Sequence, residues 1–135
     1  MRLALLLTLA SRAIFAQAPA CDGNIVIVRV SEIKAGKMDA FMDAVAAHKA
    51  WYRANGIKDN EMVVSRVIVR DKDSGAQSYS DKEVLTYHVN PPGPARTPTR
   101  GDTAWNAYVK QYRDSSDLKS EYMTCMPKHS MPSDH

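Results

Sequence analysis

The stretch from Gly36 to Gly56, GKMDAFMDAVAAHKAWYRANG, decides how the rest of the chain is arranged. At the helical spacing of about 100° per residue, Met38, Phe41, Met42, Val45, His48 and Tyr52 fall on one face, with Asp39, Asp43 and Ala47 opposite. This is an amphipathic helix that Asn55-Gly56 brings to an end. Acids in its first turns and Lys49 and Arg53 in its last turn follow the order the helix dipole favours. Two residues do not suit a plain core helix. His48 lies within the apolar face, and Trp51 sits at its edge with no evident core to enter.

Outward from this helix, the flanking segments read as strands. Asn24 to Ile33, NIVIVRVSEI, is dense in β-branched residues, and its alternation sends Val26, Val28 and Val30 one way and Ile25, Ile27, Arg29 and Ser31 the other. Met62 to Val69, MVVSRVIV, predicts a second strand and Val84 to Val89, VLTYHV, a third returning antiparallel to it. The polar run Asp71 to Lys82 between them predicts a long connection with a mobile tip. Residues 90 to 102, NPPGPARTPTRGD, hold four prolines, which forbid both helix and central strand, so a stiff surface connection is expected. Asp102 is placed to cap a second helix with the apolar stripe Trp105, Tyr108, Val109 and Tyr112. That stripe loses phase at Arg113 to Ser116. A separate short helix with Leu118, Tyr122 and Cys125 on one side is expected up to Pro127, followed by a disordered tail over 127 to 135.

Ahead of the first strand, Met1 to Ala20 has a basic residue, an apolar run Leu3 to Ala10, and small residues at Ala16, Ala18 and Ala20 that suit signal cleavage. Arg12 interrupts the run, which is too short to span a bilayer. Cleavage after Ala20 would make Cys21 the first residue, but Ala18-Pro19-Ala20 is a poor match to a lipidation signal, so soluble export to a periplasmic or secreted location is expected. The leader takes two of the 18 basic residues and none of the 15 acidic ones, so the net charge falls from +3 to about +1. No clustered basic footprint for nucleic acid remains, and no membrane contact is expected after cleavage. What remains, residues 21 to 126, reads as one α+β domain. Its two cysteines, Cys21 and Cys125, predict a disulfide in an oxidising compartment. Closing a loop of about 100 residues contributes on the order of 4–5 kcal/mol in the chain-entropy account.

The order strand, helix, strand, strand, helix over residues 24 to 112, and the entry IKAGKMDAF at Ile33 to Phe41, resemble the dimeric α/β-barrel superfamily, which holds antibiotic-biosynthesis-type and haem-degrading monooxygenases and the NIPSNAP and EthD groups. The resemblance implies a ferredoxin-like βαββα(β) fold with an antiparallel sheet. Such domains close with a fourth strand beside the first. Residues 113 to 135 hold no β-branched run, so that strand is expected to be missing and a C-terminal helix, pinned by Cys21–Cys125, to cover the vacant edge. Strands apolar on both faces, with helices enough to cover one, predict a homodimer through the free face of the sheet; a monomer with tail and loops on that face is the alternative.

Candidate site residues follow from chemistry out of place. His48 on an apolar helix face and His88 beside Tyr87 are candidate proton-handling groups, against the reading of His48 as a satisfied core residue. Arg29 and Arg66 occupy otherwise apolar strand positions and need a counter-charge, for which Glu83 or Glu32 would serve, or an anionic ligand. Trp51 and Tyr87 complete the candidate ligand-binding set; Trp51, Trp105, Tyr108 and Tyr112 are either core or the walls of a pocket for a flat organic molecule. The superfamily's cofactor-free oxygenases use asparagine, histidine and tryptophan; Asn24, His48, His88, Trp51 and Trp105 are present here without a pattern that transfers a role. No cofactor is implied. Met123, Cys125, Met126, His129, Met131 and His135 are soft ligands without the fixed spacing of a metal site. Three functions stay open: binding of a small organic ligand in a sheet–helix cleft, with or without oxygenase-type catalysis; a non-catalytic interaction module; and copper handling by the Met/His tail.

Overall fold

The computed structural model describes residues 20 to 128. Nearly all of the expected leader and most of the expected tail lie outside the described residues. Six elements follow one another: β1 (Asn24–Ile33), α1 (Met38–Ala54), β2 (Glu61–Arg70), β3 (Gln77–Val89), α2 (Thr103–Ser115) and β4 (Ser116–Met126). The strands form one antiparallel sheet in the order β2-β3-β1-β4, the ferredoxin-like arrangement.

The missing fourth strand is corrected here. Residues 116 to 126 are neither helix nor tail; they pair with β1 along its length, from Ser116 opposite Ile33 to Met126 opposite Asn24. The segment has poor intrinsic strand preference, and its Leu118, Tyr122 and Cys125 spacing imitates a helix. Pairing with β1 overrides that local preference, which is common for an edge strand. Cross-strand ion pairs support the register: Arg29 Nε to Glu121 at 2.6 Å and Lys119 Nζ to Glu32 at 2.5 Å. The Cys21–Cys125 disulfide, with Cα atoms 5.7 Å apart, ties the segment before β1 to the end of β4 rather than to a helix. Gly23 makes this crossing feasible, since a Cβ there would meet the Met126 carbonyl oxygen at 1.9 Å.

The expected long connection between β2 and β3 is also shorter than the sequence suggested. β3 begins at Gln77, and the turn is confined to Asp71 to Ala76. The Asp71 carboxylate accepts from the Ser74 amide at 2.7 Å and the Ser74 hydroxyl at 2.8 Å, while the Asp71 amide donates to the Ala76 carbonyl. An Asx-type turn of this kind lets polar residues run straight into a two-stranded ribbon. That ribbon projects beyond the end of β1, which pairs with β3 only from Glu83 to Val89.

The helix α1 ends as its sequence requires. Gly56 adopts φ +81°, and the Ile57 amide donates to the Tyr52 carbonyl, closing the last turn. Its buried face divides between two clusters. Phe41 and Val45 pack with Ile33, Met62 and Val84; Trp51 and Tyr52 pack with Ile57 and Tyr108 of α2. Trp51 thus has a core to enter, made by the helix that follows the proline segment. His48 sits in the turn of α1 between the two clusters.

Candidate functional site

Pairing in the sheet fixes which side chains face the helices. Arg29 lies opposite Thr86, Ser31 opposite Val84, and His88 between Ile27 and Met62. These residues form the floor beneath α1 and α2. Tyr87, one residue from His88, turns the other way and lies between Val28 and Val63 on the uncovered face.

Between floor and helices lies a cavity of about 450 Å³, within the size range of small-molecule sites. Arg29, Ser31 and Thr86 supply its polar floor, and α2 supplies an aromatic wall from Trp105, Tyr108 and Tyr112. His48 contributes from α1, and Arg113, Asp117 and Leu118 stand where α2 passes into β4. The stripe of α2 is therefore both core and cavity wall, because one face of the helix is wider than the second core cluster it completes.

His48 is held among rings. Its imidazole stacks on Tyr108 at 4.4 Å between centroids with planes 15° apart, and on Tyr52 at 5.1 Å. His88 meets it edge-on at 6.0 Å. The Tyr112 hydroxyl lies 3.5 Å from His48 Nδ1, a long contact whose donor depends on which ring nitrogen of His48 carries the proton. Burial lowers the His48 pKa to about 3, helped by the nearby His88 and the Arg29 and Arg100 charges. Burial likewise lowers His88 to about 4, with Arg29 adding to the effect. Both imidazoles are uncharged at neutral pH.

A further pair of residues fixes the His88 tautomer. Arg53 Nη1 donates to the Asn60 side-chain oxygen at 2.6 Å and to the Ile57 carbonyl at 2.7 Å. With its oxygen held there, the Asn60 amide can present only its NH2 group to His88 Nε2, at 3.0 Å. His88 Nε2 is thus an acceptor and the ring carries its proton on Nδ1. Asn60 is buried, and nothing in the sequence marks it, since it precedes β2 outside any periodic pattern.

The remaining candidates find other partners. Arg29 finds its counter-charge in Glu121 of β4, not in Glu83 or Glu32, a partner invisible while β4 was read as a helix. Arg66 shares the helix-side face of the sheet but does not line the cavity: its guanidinium donates to the Ser80 carbonyl at 3.0 Å and lies over the Tyr79 ring at 5.1 Å. Trp51 does not line the cavity. Its indole donates to the Asp102 carboxylate at 3.0 Å, and the same carboxylate caps α2 by accepting from the Trp105 amide at 2.6 Å. Trp51 therefore locks α1 to the first turn of α2 behind the cavity wall. Burial raises the Tyr108 and Tyr112 hydroxyl pKa values, so both stay protonated. The buried Tyr108 hydroxyl has no hydrogen-bond partner among the described residues.

No group of three or more histidine, cysteine, aspartate or glutamate side chains is arranged to hold a metal among the described residues. Cys125 is in a disulfide, which removes its thiolate from the soft-ligand set of the tail; His129, Met131 and His135 lie outside the described residues. No described helix is long and apolar enough to cross a membrane.

No protein-family model matches the chain, and no curated protein matches it in sequence. Among solved structures, a phage SAM lyase in complex with S-methyl-5'-thioadenosine is similar at 12% identity and a TM-score of 0.27, covering 82% of this chain and 97% of that one. The comparisons thus place the chain in no family, and its description rests on an α+β domain of two helices on a four-stranded antiparallel sheet, consistent with a ferredoxin-like fold.

Proposed function

We propose that this protein is an exported domain that binds a small organic ligand in the cavity between sheet and helices. The observation that carries this reading is the cavity itself: about 450 Å³, with a polar floor and a wall of aromatic rings from one helix. The disulfide supports a periplasmic or secreted setting, because such bonds persist in oxidising compartments. The ferredoxin-like element order is compatible with the dimeric α/β-barrel resemblance, including its cofactor-free oxygenases. The site supports binding better than base-driven oxygenation. A general base works best with a pKa near the working pH, whereas His48 and His88 stand at about 3 and about 4.

The test is calorimetric titration with neutral, anionic and cationic bicyclic arenes, alongside Val109→Trp, which places a bulky ring in the cavity wall. Saturable binding of at least one compound, weakened about tenfold or more by Val109→Trp, is the expected result. Binding by none of them, or binding indifferent to the substitution, removes the reading.

A second reading, an interaction surface, draws on the uncovered face of the sheet. Val28, Tyr87, Val63 and Tyr122 form a row across all four strands there, with Val63 47% and Tyr122 57% exposed. A second copy packed face to face would cover this row, giving the homodimer expected from strands apolar on both sides. Both readings can hold together, since the cavity and the free face lie on opposite sides of the sheet.

A further inference from the structure

The walls of the cavity narrow the chemistry of its occupant. Its lining carries two arginines, Arg29 and Arg113, against one carboxylate, Asp117. Asp117 is already offset by Lys34, whose Nζ lies 3.8 Å away, and Arg29 is engaged by Glu121 through Nε alone. Arg113 makes no ion pair among the described residues. A guanidinium presents five donors, so one Nε contact leaves Arg29 with donor capacity to spare.

The second constraint is shape. Trp105, Tyr108 and Tyr112 project from successive turns of α2, and their rings meet one another steeply: Trp105 and Tyr108 are 5.0 Å apart at 70°, and Tyr108 and Tyr112 are 6.2 Å apart at 89°. Such a wall offers both faces and edges of rings to a flat guest.

Resting on the ligand-binding reading above, we propose that the cavity takes a flat aromatic carboxylate, its ring against the α2 wall and its carboxylate toward Arg29 and Arg113. A cationic arene meets the same two guanidiniums at a loss, and a neutral arene leaves their donor capacity unused.

Calorimetric titration of the protein at pH 7.5 with 2-naphthoate, 2-naphthol and 2-naphthylmethylammonium separates these cases, because the three share a ring system and differ in charge. The expected order is 2-naphthoate tighter than either of the others by about tenfold or more, the gain of a charge-assisted hydrogen bond. Arg113→Gln, at an exposed position in the last turn of α2, should weaken 2-naphthoate several-fold and leave 2-naphthol unchanged. Equal or tighter binding of 2-naphthol or of the ammonium compound overturns the carboxylate proposal while leaving a ligand-binding cavity in place, as does an Arg113→Gln variant that weakens all three alike. Binding by none of the three defeats the proposal together with the reading beneath it.

Discussion

Lowering the pH from 7.5 to 5.0 should cost this fold about 4 kcal/mol through two side chains alone. In the unfolded chain His48 and His88 titrate near 6.5, whereas in the folded protein burial holds them at about 3 and about 4. For a base whose folded pKa is depressed, the unfolded state binds more protons at every pH between the two values, so stability falls as pH drops through 6.5 and goes on falling to the folded pKa. At pH 7.5 neither state is protonated and the contribution is close to zero. At pH 5.0 the unfolded imidazoles are almost fully charged and the folded ones almost fully neutral, which amounts to about 2 kcal/mol for each histidine. The exposed carboxylates, whose pKa values ion pairs hold low, respond mainly below this window.

Urea unfolding followed by tryptophan emission at pH 7.5, 6.5, 5.5 and 5.0 reads the effect directly, since Trp51 and Trp105 both sit in or beside the second core cluster. His48→Phe keeps a flat ring stacked on Tyr108 and Tyr52 and should halve the pH-dependent loss to about 2 kcal/mol. A loss under about 1 kcal/mol in the parent protein, or an unchanged loss in His48→Phe, would refute the placement of two neutral imidazoles in this core.

Three other outcomes test separate parts of the structure. Asn60→Asp puts a carboxylate against His88 Nε2 in place of an amide, so the His88 pKa followed by NMR should rise by about one unit or more; no rise means that the Arg53–Asn60 relay does not set that tautomer. Asp102→Ala removes both the cap of α2 and the acceptor of the Trp51 indole, with an expected loss of about 2–4 kcal/mol in urea unfolding, whereas a loss under about 0.5 kcal/mol would detach Asp102 from either role. Sedimentation at micromolar concentration should show a dimer that Val63→Glu converts to a folded monomer; a parent protein already monomeric defeats association through the uncovered face.

The legible parts of the chain were those whose residues answer to local rules. The amphipathic character of α1, the stop at Asn55-Gly56, the cap at Asp102 and the β-branched runs of β1 and β2 each follow from neighbours in sequence, and the structure has them, although the buried face of α1 is turned so that Met42 is exposed and Ala44 and Trp51 are buried. Even the disulfide was readable, from compartment and cysteine number rather than geometry. What escaped was β4, because nothing in SDLKSEYMTCM favours a strand until β1 lies beside it. That one miss propagated. A helix in place of β4 gives Glu121 no route to Arg29 and leaves the edge of β1 without its strand.

The same distinction explains which site residues could be picked out. A histidine on an apolar helix face or an arginine in a β-branched strand violates its local pattern, and His48, His88 and Arg29 all reach the region between sheet and helices. Arg66 violates the pattern just as visibly, yet it lies where the β2–β3 ribbon leaves the sheet, and the Ser80 carbonyl and the Tyr79 ring satisfy it, so the violation carries no site. Trp51 violates it too, and its oddity is resolved by a partner fifty-one residues away. Asn60 violates nothing; only the oxygen contact from Arg53 turns an ordinary amide into the group that fixes the His88 tautomer. A residue out of place in its own segment shows that something distant satisfies it, and whether that something is a ligand, a cap or a neighbouring ring depends on where along the sheet the chain brings it, since Arg29, His88 and Arg66 all share its helix-side face.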